Sequence, residues 1–476
     1  MTKLSGRTLE RSNTTRSLAS RADSWTPCAI IALLVLFGGA SRADALSQVI
    51  CQLIAVTGIA IMWWRRIGAG TTVPVVAWLP IAGIGAICLL QIVPLPPALW
   101  TKLPGREAIA QADAALGLSI WRPFSIYPQA TLATLIGLLV PLTALLAMRG
   151  ISTLQKRRLV QMLGVLLLLS GVLGILQTSI DQPYFFKITN RGMAVGIFAN
   201  RNHQAIFLSL ALPLLMLLIL AHRERARRMA MVWASAAVAV AVAVATLVIA
   251  LVILVNASRI GIVTFCIGAI GAAAMFLTIA PKADRVYNPV AGDRVRTVVM
   301  FGVPLVSAAL VAIAFVFRDH LPGLARLSET ELASEGRIQY LPPLLETARA
   351  FLPTGSGFGT FDRAYRMHEP YELLTAAYLN HAHNEAIEII IEGGLGSAVL
   401  AAACLLLIGR RIRTAWRGGA QPFDFDMAAA RCASVVVAIV LAGSITDYPL
   451  RTPALGVVGI VALVLLDNGR SAWRRR

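Results

Sequence analysis

The chain reads as an all-α polytopic membrane protein of about twelve spanning helices, most of them near the twenty residues a bilayer core requires and the first, eleventh and twelfth shorter. Three observations lead there. The 476 residues are 57% hydrophobic and only 14% charged, whereas soluble domains carry about 25% charged residues. Apolar runs of helix-spanning length recur along the whole chain. Lys and Arg fall in short clusters between those runs.

The expected spans are 27–41, 45–64, 73–93, 128–148, 159–180, 203–221, 229–255, 260–280, 297–317, 393–409, 432–446 and 453–467. With the N-terminus inside, 28 of the 43 Lys and Arg residues lie on the cytoplasmic side, as the positive-inside rule requires. The clusters Arg65-Arg66, Lys156-Arg157-Arg158, Arg223 to Arg228, Arg410-Arg411 and Arg474-Arg475-Arg476 all fall inside. One span too many or too few would break that alternation. The first span also has the basic lead, short apolar core and small-residue stretch (Ala40-Ser41-Arg42-Ala43) of a signal peptide. Either way, residue 44 lies outside.

The resulting organisation is a basic cytoplasmic tail (1–26), spans one to nine (27–317), a large external loop (318–392), spans ten to twelve (393–467) and a second basic cytoplasmic tail (468–476). The formal charge of +19 does not indicate nucleic acid, because no basic patch interleaved with aromatics exists. The six cysteines lie in or beside apolar runs with no C-x-x-C pair. They read as small packing residues rather than a disulfide or zinc framework.

No Asp or Glu falls in the middle of an expected span, which argues against an ion-coupled transporter, whose coupling site needs an intramembrane acid. Chemistry therefore belongs in the three long external segments, 94–127, 181–202 and 318–392. Five of the six histidines (His203, His320, His368, His381, His383) lie outside. Asn380-His381-Ala382-His383-Asn384-Glu385 is the densest polar cluster and opens an amphipathic run. A histidine there can serve as a general base; the plainer alternative is that the polar groups cap the helix and face water. A metal site on His381-x-His383 is disfavoured, since residues two apart do not share a helix face and no third ligand is evident.

Arg259 lies at a tight external turn between two apolar spans, where it either snorkels to the headgroups or pairs. Arg337 sits in the large loop, and an exposed loop arginine is ordinarily just solvated. The planar arginine fork nevertheless suits phosphate oxygens, so two external arginines beside a bilayer fit a lipid phosphate. Gly355-Ser356-Gly357-Phe358-Gly359 lacks a P-loop lysine and a preceding strand, and reads as a tight turn. Phe198 to His203, which includes Arg201 and Asn202, packs polar groups at the mouth of the sixth span; helix capping by Asn200 or Asn202 is the simplest account.

These pieces, in this order, resemble the bacterial O-antigen ligases and related lipid-linked-glycan polymerases. The resemblance rests on Pro94 to Pro97 with Leu103 to Arg106, Gly196 to His203, Ser258-Arg259, Gly336-Arg337, Pro353 with Gly355 to Gly359, Ala382 to Glu385 with Glu392 to Leu395, and Asp447 to Pro453. It implies a GT-C-like multi-span glycosyltransferase of the bacterial inner membrane with both termini cytoplasmic. The enzyme would be inverting and would work without a metal or cofactor. Its donor would be a glycan on undecaprenyl pyrophosphate, its acceptor the lipid A core or another glycan, its solvent the lipid bilayer, with no nucleic-acid partner. It further implies that Arg259 and Arg337 hold the pyrophosphate and that His383 activates the acceptor. Arg201, Asn202, His203, Asn384 and His381 would line the substrate site. The alternatives are a polysaccharide polymerase of the same superfamily and a transporter or flippase of lipid-linked sugars.

Overall fold

The computed structural model describes residues 25–42, 46–180, 183–186, 190–228, 246–256, 258–279, 331–374, 378–417 and 423–474, without the side chains of 226–228, 331–338 and 470–474. Among them seven helices are long and apolar enough to cross a membrane: Leu46–Trp64, Pro128–Ala147, Thr153–Ile180, Arg201–Arg225, Arg259–Ile279, Glu385–Trp416 and Phe425–Thr446. Four shorter apolar helices, Trp25–Phe37, Val75–Gln91, Thr246–Asn256 and Pro453–Gly469, accompany them. The architecture is that of an all-α polytopic membrane protein. Ten of the expected spans correspond to helices; of the seventh, 229–255, only the helix from Thr246 onward is described, and the ninth, 297–317, lies outside the described residues.

Local chemistry sets the helix ends. Pro128 opens its helix at the first turn, where a missing N–H costs nothing. The Asp424 carboxylate accepts from the Met427 amide at 3.0 Å and caps Phe425–Thr446. Leu46–Trp64 runs out in Trp63 and Trp64, both more than four-fifths exposed, followed by Arg65-Arg66. That succession is an interfacial aromatic and basic belt. Leu53, Leu90, Val399 and Leu406 also face outward; only a hydrocarbon surround makes such a surface favourable.

Phe425–Thr446 and Pro453–Gly469 form the central hairpin of the bundle, packed against Arg259–Ile279 and Arg201–Arg225. The first helix belongs to the same core: Cys28, Ile31, Leu34 and Val35 are fully buried. Beyond it, the Gly38 carbonyl accepts from the Ala454 amide at 2.9 Å and the Gly39 carbonyl from Ala199 at 3.1 Å. A Cβ on Gly39 would collide with the Ile197 carbonyl, so this close approach requires glycine.

At the end of the bundle opposite the arginine clusters, two of the long connections dock on each other. Gln91, at the close of Val75–Gln91, donates to the Glu392 carbonyl (2.9 Å) and accepts from the Phe358 amide (2.9 Å), while its own carbonyl takes the Ser125 amide (2.7 Å). Arg106 is buried and donates to three carbonyls, Pro104 (2.7 Å), Phe124 (2.6 Å) and Gly355 (2.9 Å), with the Phe351 ring against its guanidinium. Burial pulls Arg106 down to about 10, so it stays charged at neutral pH. It ties the Leu103 to Arg106 motif to the glycine-rich run. Arg106→Ala removes charged donors from three carbonyls, each worth about 1.5–3 kcal/mol when the donor is ionised. A loss of at least about 2 kcal/mol is expected, seen as a lower thermal midpoint in detergent and proteolytic nicking near residue 355.

The glycine-rich run is a clasp, as its composition suggested, with its amides already committed. Ser356 donates to the Ile391 carbonyl (2.8 Å), Gly357 to the Glu392 carbonyl (2.9 Å) and Gly359 to the Glu392 carboxylate (2.9 Å). It grips the Glu385–Trp416 helix where that helix breaks, at Gly394, whose φ of 60° only glycine adopts freely there. The loop-to-helix boundary expected at 392–393 falls at this break, and a helical segment that begins at Glu385 leads up to it.

Candidate active site

Asp447 occupies the three-dimensional centre of the sequence motifs. It follows the last turn of Phe425–Thr446 and is fully buried. One carboxylate oxygen, Oδ2, accepts from the Asn202 side-chain amide (2.7 Å) and more loosely from that of Asn200 (3.3 Å). The other, Oδ1, accepts from the Tyr448 backbone amide (3.0 Å) and faces His383 Nδ1 at 3.2 Å. His203 Nε2, also buried, stands 3.7 Å away. Burial pushes the Asp447 carboxyl up, but the flanking His203 and His383 outweigh it and hold the group well below the usual carboxylate range. The group is a carboxylate at working pH and can only accept. His383 Nδ1 then donates to it, which leaves Nε2 as the ring nitrogen not engaged by Asp447.

His383 sits in left-handed backbone with φ 49°, an uncommon conformation for a side chain with a Cβ. The segment before Glu385 is not helical. The helix-face objection to His381 and His383 acting together does not apply there: both rings lie against the Tyr448 ring, with centroids 4.1 and 5.0 Å from it. Burial beside Asp447 pushes the Tyr448 phenol up, and Asn200 and Ser41 are its side-chain partners.

The capping accounts also hold, alongside the site. Asn200 Oδ1 accepts from the Asn202 amide (2.8 Å) at the start of Arg201–Ser209, and its amide group reaches Asp447. Asn384 Oδ1 accepts from Ile387 (3.1 Å), and its amide group donates to the Ile445 carbonyl (3.0 Å). Arg201 enters through its backbone: its amide donates to Asn190 (3.1 Å), and its carbonyl accepts from the buried Asn256 (2.9 Å). Arg259 begins the Arg259–Ile279 helix and is exposed. Its neighbour Ser258 is buried and donates to Asn202 Oδ1 at 2.8 Å. Ser258, Asn202, Asp447 and His383 thus form one hydrogen-bonded chain from the base of Arg259 to the catalytic histidine candidate. The backbone of Arg337 belongs to Glu331–Phe351; its side chain lies outside the description.

Sequence reasoning passed over the second layer. Glu385, Glu388 and Glu392 are all buried and lie on one helix face at spacings of three and four. They point into the protein, where the alternative reading had the polar groups of this segment facing water. Glu385 accepts from the Leu450 amide (2.7 Å), and Glu388 from the Ala382 amide (2.9 Å). Arg451 Nη2 lies 2.9 Å from Glu392 Oε2 and 3.4 Å from Glu388 Oε1. The three-residue spacing was the legible signal; the partner, Arg451, was not.

Fold and site together define a multi-pass membrane protein with a histidine–carboxylate centre at one end of its bundle. A family model described as O-antigen ligase matches residues 244–402. The matched segment, about a third of the chain, is similar to the O-antigen ligases, in line with the resemblance that the sequence motifs carry. The match contains Arg259, Arg337, His381 and His383, and the fold brings Asn200 to His203 and Asp447 to Arg451 against Ser258, His381 and His383. A search of curated proteins gives no match.

Proposed function

We propose that the protein transfers a glycan from undecaprenyl pyrophosphate to an acceptor hydroxyl, on the lipid A core or another glycan, at the periplasmic face of a bacterial inner membrane. The hydrogen-bonded chain from Ser258 through Asn202 and Asp447 to His383 carries this reading. It couples the His383 imidazole to a buried anion and ends at Ser258, the residue before Arg259 at the N-terminus of its helix.

In the proposed reaction the acceptor oxygen attacks the anomeric carbon and gives its proton to His383 Nε2. The bond to the diphosphate oxygen breaks on the opposite side, so the centre inverts. Asp447 holds the ring and stabilises the imidazolium, as a buried carboxylate does for a histidine base. Arg259 and Arg337 neutralise the departing diphosphate without a metal. The N-terminus of Arg259–Ile279 adds its partial positive charge.

A deletion strain tests the function through its surface glycan. Accumulated lipid-linked polymer with bare core identifies a ligase, and single units without long chains identify a polymerase. An unchanged surface glycan overturns the proposal. Complementation with Arg337→Ala is expected to leave protein level and lipid-linked donor intact while transfer is lost, and transfer by the wild type is expected to survive EDTA. Cysteine labelling is expected to reach positions 337 and 383 from the periplasm; cytoplasmic labelling would remove the enzyme along with its topology.

A further inference from the structure

The site holds a second histidine–carboxylate pair that the reaction above leaves idle. His381 Nδ1 lies 2.7 Å from Glu388 Oε1, and Glu388 is about 1% exposed. The other Glu388 oxygen accepts from the Ala382 amide at 2.9 Å, and Arg451 stands 3.4 Å from Oε1. Held between these donors, the carboxylate acts as an acceptor, so His381 Nδ1 is the hydrogen donor and Nε2 is turned away from Glu388. His383 is fixed in the same manner by Asp447. Two imidazoles, two residues apart, are therefore each anchored at Nδ1 to a buried carboxylate of their own. Both rest on Tyr448, and both are partly open to the exterior, with side chains 15% and 28% exposed.

We propose that His381 is a second acid–base residue of the transfer site, positioned by Glu388, and that it protonates the departing diphosphate. This rests on the transferase reading above. As the acceptor oxygen bonds to the anomeric carbon, its proton passes to His383 Nε2. The carbon–oxygen bond to the diphosphate breaks with its electron pair remaining on the diphosphate oxygen, and that oxygen takes the proton from protonated His381 Nε2. Turnover thus leaves His383 protonated and His381 neutral, and proton exchange with water resets both. Acid and base are supplied by one short segment on either side of Ala382. The charged and titratable groups facing His381 are Glu388 and Glu392 from the Glu385–Trp416 helix, Tyr448 and Arg451 from the turn that follows Asp447, and His383 with Asp447.

The test uses the full-length protein in lipid nanodiscs, with a synthetic polyprenyl-diphosphate-linked oligosaccharide as donor and core lipid as acceptor, followed across pH. His381→Gln is expected to lower kcat by about 10²-fold, the lower range for loss of a general acid, with KM for the donor changed by less than about threefold. The alkaline limb of the rate–pH profile is expected to disappear, because a proton donor is what that limb reports. In His381→Ala, added imidazole is expected to restore rate in proportion to its protonated fraction. Retention of wild-type kcat by His381→Gln, or a slower rate with both limbs intact and no rescue by imidazole, would reduce His381 to a brace for Tyr448 and overturn the inference. His383→Gln separates this from the parent reading. Loss of transfer there with His381→Gln unaffected sinks only the second acid–base role, whereas wild-type transfer by His383→Gln sinks the reaction itself.

Discussion

His383→Asn is expected to abolish glycan transfer while leaving the thermal midpoint unchanged or slightly raised. Two features at one residue give opposite signs. The imidazole supplies the proposed base, and removing a general base typically costs about 10²–10⁴ in rate. The backbone at 383 is left-handed, φ 49°, where a residue with a Cβ is held at a cost of order 1 kcal/mol and asparagine is better tolerated than most. Asparagine at 383 also gives up only one donor to Asp447, which keeps those of Asn202 and the Tyr448 amide. A strained residue whose replacement relaxes the fold and ends the reaction is retained for chemistry. The check pairs a thermal shift in detergent with donor-to-acceptor transfer. A variant that stays active would remove His383 from the reaction, and one that unfolds would make it a structural residue.

The membrane fold was legible because apolar length and basic clustering act locally: Leu46–Trp64 ends at Arg65-Arg66, and the central hairpin is two apolar runs around Asp447. The pairings within the candidate site were not legible. His383 and Asp447 are 64 residues apart, and Asn202 and Asp447 are 245 apart, so only tertiary packing joins them. Asp447 is visible in the sequence as the acid in the break between two apolar runs, but nothing local assigns it a role. The carboxylates at 385, 388 and 392 were visible as one helical face, but burial cannot be read from periodicity when both sides of an amphipathic helix could meet protein, lipid or water. The first apolar run is short. Its contribution is made by backbone at Gly38 and Gly39, which hydropathy does not register.

Arg451→Met is expected to be the most destabilising single change near the site. Arg451 is about one-fifth exposed and stands between Glu388 and Glu392, each about 1% exposed. Removing one partner from a buried ion cluster costs about 3–5 kcal/mol, because the remaining charges keep their desolvation penalty and lose its compensation. Partial exposure of the guanidinium places the effect near the lower end of that range. Arg451→Lys is expected to recover only part of it, since an ammonium is a point charge and cannot span two carboxylates as the planar fork does. The decisive comparison adds Glu392→Gln to Arg451→Met. A glutamine oxygen still accepts from Gly359 and Phe361, as Glu392 Oε1 does at 2.9 and 3.3 Å, while one of the stranded charges is gone. The double variant is therefore expected to be more stable than Arg451→Met alone, a coupling of about 1–3 kcal/mol for residues in direct contact. Strict additivity of the two substitutions would show that Arg451 acts through packing, and that the Glu392 ion pair contributes nothing to holding the clasp, the kink and the histidine segment in register.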